Sequence, residues 1–315
     1  MIAVTGASGF IGRALCAELA ASGVPVRPIV RRGAEVRALP TGRVEITDIL
    51  DVKGLSSAFE GASAVIHLAG RAHRMVEDAS DPLAEFRRVN VLGTKAVFEA
   101  AAAARVSRVL VASSVKVVGE SNSTAWTEST VPRPIDHYGI SKLEAERSAL
   151  DDGKRLGVEA VVMRFPLVYG PGAPANVLRL LRAVDTGLPL PFGWVRNHRS
   201  MLYSGNLVSA TRTLVDAQGV GGEVFFLADG VDLSTPDLIR TIAQALGRPA
   251  RLLPAPVAVL RVAGMLTRKT AEVRRLVESL TVSIEKLRQR AGWVAPFTPV
   301  EGWSTTAAWF RAAAP

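Results

Sequence analysis

Short apolar runs alternate with longer segments of mixed polarity over the first half of the chain. Runs rich in Val and Ile are typical of buried parallel strands, and the segments between them are long enough for helices. The pattern predicts strands near residues 2–5, 26–30, 43–46, 64–68, 107–112 and 158–163. This alternation indicates an α/β protein with a doubly wound parallel sheet of the Rossmann type, in which ligands bind beyond the carboxyl ends of the strands.

The pattern becomes irregular after Pro166, where proline and glycine interrupt the apolar runs. A helix and a strand near 206–228 are expected to return to the sheet. We therefore predict a sheet domain and a smaller, mainly C-terminal lobe. Their predicted bounds are 1–165 with 206–228 for the sheet domain, and 166–205 with 229–315 for the lobe.

Composition favours a water-soluble enzyme. The chain has 315 residues, of which 48% are hydrophobic, and its one cysteine, Cys16, excludes an intramolecular disulfide and is expected to pack in a helix. The first strand begins next to Met1, which leaves no room for a signal peptide, so a cytoplasmic location is expected. The apolar segment 254–266 contains Arg261 and two prolines and is shorter than a transmembrane helix. It is predicted to form a buried or interface helix.

The chain is basic, with a net charge of +9. Residues 251–315 hold ten Lys and Arg against four Asp and Glu, a net charge of +6. Basic segments attract phosphates, anionic membranes or nucleic acid. No helix-turn-helix or RNA-binding signature accompanies them, so nucleic acid is not expected as a partner. A diphosphate ligand, with a peripheral membrane contact as an addition, explains the charge more simply.

A glycine-rich turn follows the first strand. The segment Thr5–Gly12 carries glycines at 6, 9 and 12, together with Ser8, Phe10 and Ile11. Glycines at these positions permit a tight turn, close approach of the backbone to a diphosphate, and close packing of helix on strand. A purely structural turn is the alternative.

Tyr138 and Lys142 have the spacing that places two side chains on one face of a helix. The pKa of a phenol is near ~10 in water, so Tyr138 can act near neutrality only if a cation and a hydroxyl favour its anion. Lys142 can supply the cation. Ser114, at the end of the apolar run 109–112, can supply the hydroxyl. The combination with the glycine-rich turn favours proton transfer over an ordinary surface Tyr and Lys.

With these motifs the chain resembles the extended branch of the short-chain dehydrogenase/reductase superfamily, the NAD-dependent epimerases and dehydratases. Further motifs are Asp48-Ile49, His67-Leu68-Ala69-Gly70, Asn90 through Thr94, Ser113-Ser114 and Arg164 through Gly172. The resemblance covers nearly the whole chain. It implies a nicotinamide cofactor and redox chemistry at a sugar carbon, with Ser114, Tyr138 and Lys142 as catalytic residues. It also implies a homodimer that pairs through the helix carrying Tyr138.

The resemblance assigns further residues to the cofactor. Asp48 and Ile49 correspond to a pair that contacts adenine, with a simple exposed turn as the alternative. Asn90 corresponds to an asparagine that orders the active-site helix and the strand-end loops, and His67 is expected to be structural. The full set of expected cofactor-binding residues is Gly6, Ser8, Gly9, Phe10, Ile11, Gly12, Arg31, Arg32, Asp48, Ile49, Leu68, Ala69, Gly70, Asn90, Tyr138, Lys142 and Phe165. No metal site is predicted.

The end of the second strand bears on the choice of cofactor. An NAD enzyme usually places Asp or Glu there, against the adenosine ribose, whereas this chain has Arg31 and Arg32. Guanidinium groups offer forked donors to phosphate, so both arginines could pair with the 2′-phosphate of NADP. Two solvated loop arginines are the alternative. NADP is therefore favoured over NAD.

The residues after Ser114 bear on the reaction. Sugar 4,6-dehydratases of the family carry an Asp-Glu pair at the position of Val115-Lys116, so dehydration is not expected. Lys116 either contacts substrate or is a solvated lysine. Residues 113–120, 166–172 and 197–200 most resemble those of bacterial 4-ketoreductases and 4-epimerases that act on UDP-N-acetyl-deoxyhexosamines. This resemblance implies that the sheet domain binds NAD(P) and that the lobe binds a nucleotide sugar. The reaction it implies is reduction of a UDP-4-keto-6-deoxy-N-acetylhexosamine at C4, in polysaccharide or O-antigen synthesis. A UDP-hexose or UDP-N-acetylhexosamine 4-epimerase with bound NAD, and a non-catalytic NADP-binding sensor, are the alternatives.

Candidate residues for the substrate lie in the second half of the chain. Arg199 corresponds to a family arginine near the nucleotide and could bind the diphosphate, with an exposed loop arginine as the alternative. Asn176 and Arg275 are further candidates for the same role. His73 could cover the sugar, with a solvated histidine as the alternative. Trp194, Trp293 and Trp303 are expected to pack in the core, and lining of the nucleotide site is the alternative.

Overall fold

The structure, a computed structural model, describes residues 1–36, 39, 44–71, 81–173 and 175–312, without the side chain of residue 175. Its centre is a seven-stranded, all-parallel sheet in the order β3-β2-β1-β4-β5-β6-β9. A parallel pair, β7 and β8, lies outside it. The strands are β1 (Ile2–Thr5), β2 (Val26–Val30), β3 (Glu45–Ile46), β4 (Ala64–His67), β5 (Arg108–Ser114), β6 (Glu159–Phe165), β7 (Leu167–Tyr169), β8 (Met201–Tyr203) and β9 (Glu223–Phe226).

Helices connect these strands and cover both faces of the sheet, which confirms the predicted α/β class. They are α1 (Phe10–Ala21), α2 (Val52–Phe59), α3 (Pro82–Arg87), α4 (Gly93–Ala103), α5 (His137–Leu156), α6 (Ala175–Asp185), α7 (Ser204–Asp216), α8 (Thr235–Ala245), α9 (Val257–Leu266), α10 (Thr270–Val277), α11 (Glu285–Ala291) and α12 (Pro299–Ala312). A π-helical turn spans Arg88–Leu92, and a 3₁₀ turn spans Val115–Val117. Within the described residues, no helix is long and apolar enough to cross a membrane.

Successive residues of β1 pack in two different hydrophobic cores. Val4 packs in a cluster with Leu15 of α1, whereas Ala3 packs in a second cluster with Phe59 of α2 and Phe98 of α4. Alternate side chains of a strand point to opposite faces, so a sheet covered on both sides buries every residue of its central strands. This explains why the strands appear in the sequence as continuous apolar runs.

The predicted return segment near 206–228 forms α7 and β9. Strand β9 pairs with β6 in parallel, with Val161 opposite Glu223 and Arg164 opposite Phe226. Further elements surround a third cluster that includes Tyr169 and Trp303, whose rings stack at 4.3 Å. The chain thus leaves the sheet after β6 and comes back to it.

The structure corrects one packing prediction, since Trp293 and Trp303 are buried as expected but Trp194 is 59% exposed. The segment 254–266 does form a helix, α9, and of its ten residues only Leu260 and Gly264 are buried. Of the two predicted alternatives, a buried helix is therefore wrong, and an interface helix stays a prediction. Apolar character alone could not predict this, since it does not tell which helices find a partner within the chain. Cys16 is buried in α1, as predicted.

Candidate active site

Helix α5 positions Tyr138 and Lys142 in its first two turns. It begins after Asp136, whose carboxylate accepts a hydrogen bond of 2.7 Å from the backbone N–H of Gly139 and thereby caps the helix. A Cβ on Gly139 would lie 2.6 Å from the carbonyl oxygen of Lys116, so glycine is needed at this crossing. The start of α5 is therefore fixed against the turn that follows β5.

Ser114 ends strand β5 and faces the start of α5. Its hydroxyl accepts a hydrogen bond of 3.2 Å from the backbone N–H of Lys116 and lies near enough to the Tyr138 phenol to lower the pKa of that phenol. The Tyr138 ring is partly buried and meets the edge of Phe86 at 6.1 Å between centroids. The structure thus brings together the serine and tyrosine that the sequence predicts as a pair.

Burial raises the pKa of Tyr138 to about 12, the hydrogen bond from Ser114 lowers it in part, and the Asp136 carboxylate raises it further. Sequence reasoning expected neighbours that favour the tyrosine anion, but burial outweighs them. Burial also lowers the pKa of Lys142 to about 8, while the Glu146 carboxylate opposes this change. At neutral pH the site therefore holds a neutral phenol that can donate a proton, beside a protonated lysine.

Sequence reasoning missed a buried ion pair behind Lys142. The Glu146 carboxylate, almost fully buried, accepts hydrogen bonds of 2.9 and 2.6 Å from Arg164 on β6 and a further one from the Ser113 hydroxyl. Glu146 lies one helical turn beyond Lys142, and this spacing is the signal that could have identified it. The pair joins α5 to β5 and β6 directly beneath the candidate catalytic residues.

Asn90 lies in the π-helical turn and joins two parts of the site. Its side chain accepts a hydrogen bond of 2.7 Å from the backbone N–H of Arg71 and donates one of 2.9 Å to Ser141. The Ser141 hydroxyl donates in turn to the carbonyl oxygen of Tyr138 at 2.8 Å. Asn90 therefore links the loop after β4 to the helix that carries Tyr138, in agreement with its expected ordering role.

His67 is held in a structural position. Both ring nitrogens are in hydrogen bonds, at 2.8 Å with the Thr5 hydroxyl and at 3.2 Å with the Thr94 hydroxyl. Burial, with a smaller contribution from Lys142, lowers its pKa to about 3. The neutral imidazole therefore ties β1 and β4 to α4.

The glycine-rich turn fits a diphosphate. Gly6 has a φ of +70°, and a Cβ there would lie 2.6 Å from the backbone nitrogen of Ala69. A Cβ on Gly12 would overlap the carbonyl oxygen of Gly6, so α1 packs directly on the turn. Helix α1 has no side-chain cap and no acidic residue in its first turn. The first N–H groups of such a helix have no intrahelical acceptor and are available to an anion.

The other predicted cofactor residues also lie at the carboxyl ends of strands. Arg31 and Arg32 come directly after β2 and are exposed. Asp48 is exposed after β3, while Ile49 is partly buried and lies close to Gly93. Leu68, Ala69 and Gly70 follow β4, and Phe165 ends β6 opposite Ser114. All of these residues lie at the carboxyl edge of the sheet, where a nicotinamide cofactor of this superfamily would extend.

Lys116 lies between two carboxylates. Its ammonium is 2.5 Å from Asp136 and 2.7 Å from Glu120. Lys116 is therefore held in two ion pairs, and its contact with substrate stays a prediction. The two carboxylates, which the sequence reasoning did not single out, neutralise the cation next to Ser114.

Two of the four predicted substrate residues, Arg199 and Arg275, lie close enough for their charges to interact. Arg199 donates a hydrogen bond of 3.1 Å to the carbonyl oxygen of Glu278, and its backbone bridges Leu233 and Leu280. Burial lowers the pKa of Arg199, Glu120 and Glu278 oppose this, and the nearby charge of Arg275 lowers it further. Two neighbouring guanidinium groups suit a diphosphate.

Asn176 is exposed on α6 and accepts a hydrogen bond from Arg179. His73 lies outside the described residues.

Known proteins are similar to this chain over nearly its whole length. A "UDP-glucose 4-epimerase" of Vibrio cholerae is 35% identical over 310 residues, which cover 97% of this chain and 94% of that protein. An Escherichia coli O157:H7 protein, "N-acetyl-alpha-D-glucosaminyl-diphospho-ditrans,octacis-undecaprenol 4-epimerase", is 27% identical over 97% of this chain and 93% of its own length. The structure "MoeE5 in complex with UDP-glucose and NAD" superposes with a TM-score of 0.78 at 29% identity, covering 99% of both chains.

The family model "NAD dependent epimerase/dehydratase family" matches residues 2–228, which include the whole parallel sheet. The same residues contain the glycine-rich turn, Ser114, Tyr138 and Lys142. The chain therefore belongs to the NAD dependent epimerase/dehydratase family.

Proposed function

We propose that this protein reduces the C4 ketone of a UDP-activated 4-keto-6-deoxy-N-acetylhexosamine, with NADPH as the preferred cofactor. The observation that carries the proposal is the placement of Ser114, at the end of β5, beside the Tyr138 phenol, with Lys142 one turn further along α5. Burial raises the pKa of Tyr138, which favours the neutral phenol. A protonated phenol is the form that a ketone reduction needs, since the carbonyl oxygen must gain a proton.

In this reaction Ser114 donates a hydrogen bond to the ketone oxygen and holds it against Tyr138. Bound reduced nicotinamide supplies the hydride that C4 accepts. Tyr138 gives its proton to the same oxygen, so that the ketone becomes a secondary alcohol. The Lys142 ammonium stabilises the resulting phenolate until a proton returns from solvent.

The residues beside Ser114 distinguish this reaction from dehydration. Elimination of water needs a side chain that removes a proton and one that returns it. Lys116, at the second position of the dehydratase Asp-Glu pair, is a cation in ion pairs with Asp136 and Glu120. Val115, at the first position of that pair, is buried and has no ionisable group that could transfer a proton. The chain thus retains the redox residues of the family without the acid and base of a dehydratase.

Two arginines support the choice of cofactor. Arg31 and Arg32 are exposed at the end of β2, next to the strand that leads into the glycine-rich turn. In the described residues neither is in an ion pair, so both guanidinium groups are available to a phosphate. NADP carries such a phosphate on the adenosine ribose and NAD does not.

A 4-epimerase that retains NAD is the second candidate, and the Vibrio cholerae relative favours it by its name. Epimerisation would use the same Ser114, Tyr138 and Lys142, with Tyr138 removing a proton from the sugar hydroxyl and later returning it.

We further propose that 166–205 and 229–315 form the substrate lobe, with Arg199 and Arg275 at the diphosphate, and that two chains pair through a face that includes α5.

Absorbance of the reduced nicotinamide tests the proposal. Purified protein is mixed with NADPH or NADH and a UDP-4-keto-6-deoxy-N-acetylhexosamine, and the loss of reduced cofactor is compared with the alcohol formed. Equal amounts of each, faster with NADPH, are expected. Interconversion of UDP-hexoses by protein that carries its own NAD would instead establish the epimerase. Tight NADP binding without turnover of either substrate would point to a sensor.

A further inference from the structure

Helix α9 presents a continuous apolar face to solvent. Val259, Val262 and Leu266 recur at helical spacing and are 57%, 49% and 82% exposed, and Met265 beside them is 59% exposed. Leu253, just before the helix, is 52% exposed. Single exposed apolar residues are ordinary, but a whole helical face of them marks a binding surface.

The opposite side of α9 is firmly packed. Leu260 is buried in a small cluster with Val195 and Val277. A Cβ on Gly264 would lie 2.8 Å from Val273 of α10, so the two helices touch closely. The exposed apolar face is therefore held by a packed helix pair, and it is not the result of a loosely attached segment.

Cations flank this apolar face. Residues 248–275 contain seven Arg and Lys and a single acidic residue, Glu272. Arg251, Arg268 and Lys269 are exposed, and none of the three is ion-paired with another described residue. Apolar residues on one face with Lys and Arg beside them are typical of helices that lie in the surface of a membrane.

We propose that α9 docks this protein on a bilayer rich in anionic lipid, with Val259, Val262, Met265 and Leu266 among the acyl chains and Arg268 and Lys269 at the headgroups. Charge decides between this partner and a second copy of the chain. A dimer through α9 would bring two basic surfaces together, whereas anionic headgroups neutralise them. The proposal goes beyond the reaction proposed above and does not depend on it.

The docking surface adjoins the candidate substrate site. Helix α10 packs on α9 and carries Arg275, whose charge acts on Arg199. A bilayer against α9 would therefore lie on the side of the molecule where the paired guanidinium groups are found. This arrangement would suit a sugar diphosphate presented at a membrane.

Flotation of the purified full-length protein with vesicles tests the proposal. Vesicles of phosphatidylcholine alone are compared with vesicles in which a part is replaced by phosphatidylglycerol, at low and high sodium chloride. Binding is expected only with phosphatidylglycerol and is expected to weaken with salt. The variant Arg268→Gln/Lys269→Gln should bind about 30-fold more weakly, at about a factor of five for each cation lost.

The variant Val262→Gln/Leu266→Gln should lose at least about tenfold in vesicle binding, because it removes apolar contact with the acyl chains. Its matched control is Leu188→Gln/Val300→Gln, which changes exposed residues of the same types elsewhere. The control should bind like wild type. Turnover of a water-soluble UDP-sugar should be the same in all variants, which separates this test from that of the proposed function.

Three results would overturn the proposal. The first is no binding of wild type to phosphatidylglycerol vesicles. The second is equal loss in Val262→Gln/Leu266→Gln and in its control. The third is a dimer in analytical ultracentrifugation that Val262→Gln/Leu266→Gln converts to monomer, since the α9 face would then belong to a second copy of the chain.

Discussion

The buried pair of Glu146 and Arg164 should dominate the response of the fold to charge changes on α5. Their side chains are 3% and 5% exposed, and the N···O distance is 2.6 Å. Glu146→Gln keeps the shape of the side chain but leaves the Arg164 cation buried without a counter-charge. Breaking a buried ion pair in this way costs about 3–5 kcal/mol. Domains are stable by only about 5–15 kcal/mol, so the loss would be a large part of the total.

The same helix provides a matched control two residues away. Glu144 also pairs with an arginine, Arg87, at 2.7 Å, but these side chains are 31% and 50% exposed. Exposed pairs contribute about 0–1 kcal/mol. Glu144→Gln should therefore change the free energy of unfolding by less than about 1 kcal/mol, although it removes the same charge from the same helix.

Urea denaturation followed by circular dichroism and by tryptophan fluorescence measures both variants at pH 7. If Glu146→Gln does not fold, the double variant Glu146→Met/Arg164→Met provides a second measurement. Apolar replacement of a buried pair is often neutral or stabilising, so this variant should be at least as stable as Glu146→Gln. A free-energy loss in Glu146→Gln no larger than in Glu144→Gln would refute the argument from burial.

Three further outcomes are expected in turnover and binding assays. Tyr138→Phe should lower kcat by about 10²–10⁴-fold, since it removes the proton donor, while a fluorescence titration should give a cofactor Kd close to that of wild type; an equal loss of cofactor affinity would contradict its role. Arg31→Ala/Arg32→Ala should weaken NADPH binding by about tenfold or more and leave NADH nearly unchanged, because only NADPH carries the 2′-phosphate; an unaltered preference would argue against the pairing. Burial lowers the pKa of Lys142 to about 8, so the lysine is charged below this pH and neutral above it. The value of kcat/KM should therefore fall as pH rises through this range. A profile that stays flat to pH 10 would show that the charge is not needed.

The candidate catalytic residues could be predicted from sequence because the prediction depends on local spacing. Tyr138 and Lys142 share a helical face by their separation alone, and the turn at Gly6 needs glycine wherever the backbone has positive φ. Asp136 was missed because it acts through its position before the helix. Its carboxylate both caps α5 and pairs with Lys116, twenty residues earlier in the chain.

The sequence by itself determined the order of strands and helices along the chain, since each strand buried on both faces must be apolar throughout. It also determined the glycine-rich turn and the Ser, Tyr and Lys that follow. Only the tertiary structure decided that Glu146 pairs with Arg164, that burial raises the pKa of Tyr138, and that the apolar face of α9 is left open to solvent. These features depend on which elements, distant in sequence, pack together. That packing sets both the contacts and the loss of solvent around each side chain, and the local sequence pattern does not encode it.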